Sequence, residues 1–373
     1  MIKVGYFVTE LNFGSGPGAI NANLIIDTGV DQSWVQCEGC NPCFNVTSGN
    51  FKYKNSTSFQ QVGLHDNLCA PQFVYDGDCG FDTTYGNAHV NGFLGKDNFN
   101  FTNNKTGLTE IYKGLAFGCV LQNNGINFTN IQPNNTILGV HGLAPGPRSF
   151  LSQLDTRIKG RFSYCLPQWT YTDKTTSTTM YFGDEAIISG DKFRIVKAIS
   201  MARHAKRYHL HLSAISVDGD RLPIKASIFQ LDPIGYSKGF FIDSGTPYTV
   251  LARSAYNPLR IAIAKFFYEM YGWRHILNGE FDLCYNSYPT EFQPFPMVKL
   301  HFLAPDLHGE VEMVLDDLNM FLKISEGFCM TVLPVDDPGP SIFGAFQQVN
   351  FKFLYDVNQW LLYFVPENCE EIV

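Results

Sequence analysis

Two short strings in this 373-residue chain join a carboxylate to a hydroxyl and a glycine: Asp27-Thr28-Gly29 and Asp243-Ser244-Gly245. Each closes an apolar run, Leu24-Ile25-Ile26 in the first and Phe240-Phe241-Ile242 in the second. A single such tripeptide says little, since average composition yields on the order of 0.2 in a chain of this length. Two in the same apolar context point to paired carboxylates. Held close, two carboxylates cannot both ionise cheaply, so they share one proton and titrate as a unit. The charged member can draw a proton from a bound water while the protonated one donates to a carbonyl oxygen. The small residues beside each Asp let backbone N–H groups approach and orient it.

Such a pair needs two equivalent elements to carry it, and a weak internal repeat supplies them. Downstream of each Asp, at a similar distance, an apolar stretch closes on glycine: Gly139-Val140-His141-Gly142-Leu143 and Ser341-Ile342-Phe343-Gly344-Ala345. Two copies of one plan would put the two Asp residues in equivalent positions, able to meet across a pseudo-twofold axis. Most other segments read as short strands, among them 23–26, 99–101, 194–199, 240–242 and 349–355. Gly14-Ser15-Gly16-Pro17-Gly18 reads as a hairpin turn, having no Lys-Ser/Thr ending for a phosphate loop. Residues 149–154 are one helical candidate and 254–271 the best, with Ser254 as N-cap. The expectation is an all-β class, mainly β with a few short helices, in two lobes. The polar, Thr-rich stretch 170–179 marks the boundary, giving lobes of residues 1–169 with Asp27 and 170–373 with Asp243.

Composition narrows the function classes. A length of 373 residues exceeds one ordinary core, and 45% hydrophobic with 17% charged residues argues for a filled interior. A net charge of −8 provides no basic stripe for nucleic acid. No apolar run approaches the ~18 residues that span a membrane. Ten cysteines, with N-x-[ST] sequons at Asn45, Asn55, Asn100, Asn104, Asn127 and Asn134, indicate the secretory pathway. The opening MIKVGYFVTELNF has no signal-peptide pattern, so a processed or truncated form is expected. Cys37-x2-Cys40-x2-Cys43 has no mate to complete a metal set, and His209 with His211 reads as two solvated histidines. No metal or cofactor is expected, and no G-x-S-x-G nucleophile elbow occurs.

With these motifs assembled, the chain resembles the pepsin-type aspartic peptidases, in particular the nepenthesin-like branch of plants. The resemblance runs across nearly the whole sequence. It rests on Asp27-Thr28-Gly29 followed by Trp34-Val35-Gln36-Cys37, Cys40 and Cys43, and on Phe117-Gly118-Cys119 and Arg161-Phe162-Ser163-Tyr164-Cys165-Leu166. In the second half it rests on Ile242-Asp243-Ser244-Gly245-Thr246, Phe281-Asp282-Leu283-Cys284-Tyr285, Ser341-Ile342-Phe343-Gly344, Tyr355-Asp356 and Cys369. The likeness implies a bilobal pepsin-like double β-barrel with a cleft that takes an extended polypeptide. It implies a monomer that hydrolyses peptide bonds at acid pH, extracellular or vacuolar. Thr28 and Ser244 would brace the loops that also contain Gly29, Gly245 and Thr246. A flap spanning residues 79–97 would carry Tyr85 and Gly86, with Trp34 bonded to Tyr85. The implied disulfides are Cys37–Cys40, Cys43–Cys119, Cys69–Cys79, Cys165–Cys369 and Cys284–Cys329.

Three departures from the family pattern stand out. Val30 replaces the serine expected after Asp27-Thr28-Gly29 and loses a hydroxyl for the adjacent carboxylate, whereas Thr246 keeps the counterpart. Tyr85-Gly86 leads into Asn87-Ala88-His89, which alters the flap turn. His141 sits where an apolar residue is expected, and if buried and neutral it would make acid destabilising. These leave open a catalytically weak binding protein, such as an inhibitor of a microbial glycan-degrading enzyme, or a storage role.

Overall fold

A computed structural model describes residues 5–69, 72, 74–75, 77–102, 106–128, 134–168, 178–192, 194–203, 205–232, 238–279, 281–290, 293–306 and 308–371. Stretch 170–177, where the boundary was expected, lies outside them, as does Asn104. The chain divides into two compact units, Gly5–Leu154 and Asp155–Val373.

In the first unit β1 (Val8–Phe13) and β2 (Ile20–Asp27) form a hairpin around the Gly14–Gly18 turn. They are followed by β3 (Trp34–Gln36), β4 (Asp78–Tyr85), β5 (Ala88–Thr102), β6 (Thr109–Asn124) and β7 (Ile137–Gly142). The order β1-β2-β7-β3-β6-β5-β4 makes one sheet. β2 runs parallel to β7, so it is covered on both faces, and its last residues Leu24 to Asp27 are all buried. That explains the unbroken apolar run before the carboxylate. Phenylalanines fill much of the interior: the Phe13 ring lies 4.8 Å from Phe51, 5.2 Å from Phe99 and 5.6 Å from Phe117. The short helix α1 (Phe150–Gln153) lies within the 149–154 candidate and is capped by Ser149, whose side chain accepts from Leu151 N–H.

The second unit contains β8 (Arg161–Cys165), β9 (Phe240–Ile242), β10 (Thr249–Ala252), α2 (Arg253–Tyr271), β11 (Val332–Val335), β12 (Ser341–Phe343), β13 (Phe351–Asp356) and β14 (Leu361–Pro366). β8, β13 and β14 pair antiparallel in one sheet, while β9, β12, β10 and β11 form another in that order. Helix α2 buries Ala255, Tyr256, Leu259, Ile263 and Phe267, one apolar stripe at helical spacing. It ends in a left-handed Gly272, with Trp273 N–H bonded back to the Phe267 carbonyl. Its start differs from expectation. Ser254 lies inside the helix, and the capping acceptor is Asp337, which takes both the Ser254 N–H (3.1 Å) and hydroxyl (2.9 Å).

All ten cysteines are bridged. Three pairs match the family-derived expectation, and two do not: the bridges are Cys37–Cys119 and Cys40–Cys43. Strand register explains the exchange. β3 runs parallel to β6 with Val35 opposite Cys119, and Cys37 N–H donates to the Val120 carbonyl at 3.1 Å. This puts two fully buried cysteines side by side and leaves Cys40 and Cys43 to close the turn that follows.

Candidate active site

Each Asp-[Thr/Ser]-Gly string ends a buried strand, and the two surroundings share several bonds. Asp27, at the end of β2, is 6% exposed; Asp243, just past β9, is 8% exposed. Gly29 N–H donates to Asp27 Oδ1 at 2.8 Å, and Gly245 N–H donates to Asp243 Oδ1 at 2.8 Å. Around Asp27 the strands run β2-β7-β3-β6, paired parallel, antiparallel, parallel. Around Asp243 they run β9-β12-β10-β11 with the same three senses. The registers coincide: Trp34 faces Val140, and Val250 faces Ile342.

The repeated glycines have a steric cause. A Cβ on Gly142 would lie 2.7 Å from the Gln32 carbonyl carbon, and one on Gly344 would lie 2.3 Å from that of Tyr248. Gln32 and Tyr248 are each five residues beyond their Asp, so both loops press on a strand end that admits no side chain. The next residue is a hydroxyl acceptor in both cases. Ser33 Oγ takes the Gly142 N–H at 3.1 Å, and Thr249 Oγ1 takes the Gly344 N–H at 3.0 Å. Thr28 and Ser244 are both buried.

The two half-sites differ at named positions. Thr246 donates its hydroxyl to Asp243 Oδ2 at 2.7 Å. Val30 offers Asp27 Oδ1 only its backbone N–H, at 3.1 Å, and turns its side chain to the apolar cluster of Ile25, Trp34, Phe81, Val90, Phe128 and Val140. His141 occupies the place of Phe343. It is fully buried, its Nδ1 pairs with Ser33 Oγ at 3.1 Å, and its Nε2 has no partner. Burial depresses its pKa to about 3.

The hairpin of β4 and β5 turns through Gly86 and Asn87, with Tyr85 opposite Ala88 and Gly86 at φ +58°. Glycine at the first turn position meets the need for a positive φ there. Trp34 Nε1 donates to the Tyr85 hydroxyl at 2.7 Å, and both rings pack on the same apolar cluster as Val30. On the opposite face of the hairpin His89 Nε2 and Asp82 Oδ2 lie 2.6 Å apart.

Sequence reasoning missed two neighbours. Val8 pairs with Ile25 and Ile26 N–H bonds the Phe7 carbonyl at 3.0 Å, so the same register sets Tyr6 opposite Asp27. Burial and, secondarily, the Asp27 charge raise the Tyr6 pKa. Likewise His209 pairs with Phe241 and Ile242 N–H bonds the Tyr208 carbonyl at 3.1 Å, which sets Arg207 opposite Asp243. Neither lies in a motif, and only strand register finds them. His209 itself is buried, contrary to the reading of two solvated histidines, because its strand continues into the ladder beside β9. Among the described residues no cluster of three or more His, Cys, Asp or Glu is placed to hold a metal, and no helix is long and apolar enough to cross a membrane.

A mainly β chain that writes one carboxylate-bearing ladder twice has the make-up of the pepsin-type aspartic proteases. Models described as "Xylanase inhibitor N-terminal" and "Xylanase inhibitor C-terminal" match residues 7–184 and 207–366. An "Aspartyl protease family protein" of Arabidopsis thaliana is 30% identical over 98% of this chain and 72% of its own length. "Aspartic proteinase nepenthesin-1" of Nepenthes gracilis is 29% identical over 96% of this chain and 77% of its own length. The chain belongs to the plant nepenthesin-like, pepsin-type aspartic protease family. Basic 7S globulin from soybean shares the fold, with a TM-score of 0.74 at 17% identity, covering 99% of this chain and 96% of that one.

Proposed function

We propose that the chain is an aspartic endopeptidase that hydrolyses peptide bonds of extended polypeptides at acid pH, with Asp27 and Asp243 as its catalytic carboxylates. The observation that carries this reading is the matched pair of N–H donors, Gly29 to Asp27 and Gly245 to Asp243, both at 2.8 Å on equivalent ladders. A donor fixed on one oxygen orients each carboxylate without a counter-ion. One carboxylate, ionised, takes a proton from water as the water attacks the peptide carbonyl; the other, protonated, donates to the carbonyl oxygen. Collapse of the tetrahedral intermediate breaks the C–N bond, with a proton passing to the leaving amine. Tyr85 at the hairpin turn, steadied by Trp34, would cover the peptide. Pepstatin-sensitive cleavage of a denatured protein between about pH 2 and 6, abolished in Asp27→Asn and Asp243→Asn, is the expected result. Its absence in the disulfide-intact protein would overturn the reading.

The names of the two matching family models favour a second reading, a binding protein that inhibits a xylanase. A stable stoichiometric complex with a xylanase, without proteolysis, is its signature. Either activity suits a secreted or vacuolar protein. Exposed Asn45, Asn55, Asn127 and Asn134 would then carry glycans, detectable as a mass loss on deglycosylation.

A further inference from the structure

The cross-strand neighbours of the two carboxylates are the sharpest difference between the half-sites: a phenol at Tyr6 and a guanidinium at Arg207. We propose that Arg207 is a specificity-determining residue that selects an acidic side chain, Asp or Glu, next to the scissile bond. This rests on the protease reading above.

Three observations carry it. The antiparallel register, fixed by the His209–Phe241 pair and by the Leu210–Phe240 (2.8 Å) and Ile242–Tyr208 (3.1 Å) backbone bonds, sets Arg207 opposite Asp243. The Arg207 guanidinium lies 5.0 Å from the Phe241 ring centre, and Phe241, two residues before Asp243, projects on the same side of the strand as Asp243. Stacked there, the Arg207 side chain is only partly buried. Asp243 has its own oxygens engaged by Gly245 and Thr246.

The third observation is local charge. This chain has a net charge of −8, yet positions 198–217 hold no Asp or Glu and three cations, Arg203, Lys206 and Arg207. Of the cations before them, Arg194 pairs with Asp191 and Glu367, and Lys197 bonds the Glu312 carbonyl. Arg203 and Lys206, close to Arg207 in the chain, are exposed. Burial first, and the Arg207 charge among further causes, hold His209 below its ordinary pKa. A planar guanidinium fork held on an aromatic face recognises a carboxylate in bidentate fashion. It disfavours a second cation.

The test uses paired peptides that differ only in Glu or Gln at one position flanking the cleavage site, at pH 5.5, where Glu is ionised. The wild-type ratio of kcat/KM, Glu over Gln, is expected to be roughly tenfold at one flanking position. It should collapse towards unity in Arg207→Tyr, which keeps an aromatic surface on Phe241, and persist in Arg207→Lys. Equal cleavage of both peptides by the wild type, or a ratio unchanged in Arg207→Tyr, overturns the proposal. The same pairs made with a reduced, uncleavable bond are titrated by calorimetry with all three proteins. If no peptide is cleaved, the protease reading falls, and the affinity ratio alone decides the role of Arg207.

Discussion

Lowering the pH from 7 to 4 should weaken the first unit through His141 alone. This imidazole is wholly enclosed, with one nitrogen on Ser33 Oγ and the other without a partner, and burial sets its pKa near 3 against 6.5 for a free side chain. A base with a depressed folded pKa binds more protons in the unfolded chain, so stability is full above about 6.5 and lost as pH falls towards 3. Integrated between those values, the loss is about 3 kcal/mol at pH 4 and about 4 kcal/mol at pH 3. That is a large fraction of the 5–15 kcal/mol typical of a domain. The informative variant is His141→Phe, because Phe343 fills the equivalent place in the second unit. It removes the acceptor for the Ser33 hydroxyl, a pH-independent penalty of about 1 kcal/mol. Hydrogen exchange of the β7 amides at several pH values, corrected for intrinsic rates, reads the unit directly. Wild-type protection should fall with acid relative to the variant, and the two curves should cross at about pH 6. Parallel curves would show that His141 does not titrate in this range and refute the argument.

Val30→Ser restores a hydroxyl beside Asp27, where Thr246 already bonds Asp243 at 2.7 Å. A several-fold rise in kcat/KM is expected, with the acid limb of the pH–rate profile moved lower, at about 1 kcal/mol in lost packing. Gly344→Ala would drive a methyl to 2.3 Å from the Tyr248 backbone. Thermal unfolding should show a loss of roughly 2–3 kcal/mol, and activity should fall with it. Asp337→Ala deprives Ser254 of both acceptors at the start of α2, and chemical denaturation should show about 1 kcal/mol lost. In Trp34→Phe the Tyr85 hydroxyl loses its donor; kcat/KM should drop while bound pepstatin weakens in proportion.

What the sequence disclosed depended on whether a constraint was local. The Asp-[Thr/Ser]-Gly strings, the apolar runs before them and the later glycines are legible because each obeys a rule within a few residues: a strand covered on both faces, a carboxylate bonded by the second N–H onward, a strand end with no room for Cβ. The 149–154 helical candidate, which holds α1, is legible for the same reason. The misreadings arose from partners distant in sequence. Ser254 looks like a cap until Asp337 arrives from a remote loop. The family likeness implies Cys37–Cys40 and Cys43–Cys119, but β3 laid against β6 brings Cys119 alongside Cys37 instead. Tyr6 and Arg207 carry no signal at all until a register is assigned.

The duplication also separates what the fold requires from what it merely permits. Both units form the same ladder, the same carboxylate-to-N–H bond and the same hydroxyl-to-glycine bond. They do so with Val30 in one and Thr246 in the other, His141 or Phe343, Tyr6 or Arg207. The framework therefore forms with either member of each pair, so forming the ladder does not by itself dictate the choice. Positions that the framework constrains in both units include Gly142 and Gly344, which leave no room for a Cβ, and Ser33 and Thr249, whose hydroxyls accept from them. The unlike pairs are the positions at which the two half-sites differ, and on the proposals above they bear on acid tolerance, carboxylate hydrogen bonding and ligand choice. They can be exchanged one for another between units, with stability and pH profile read separately.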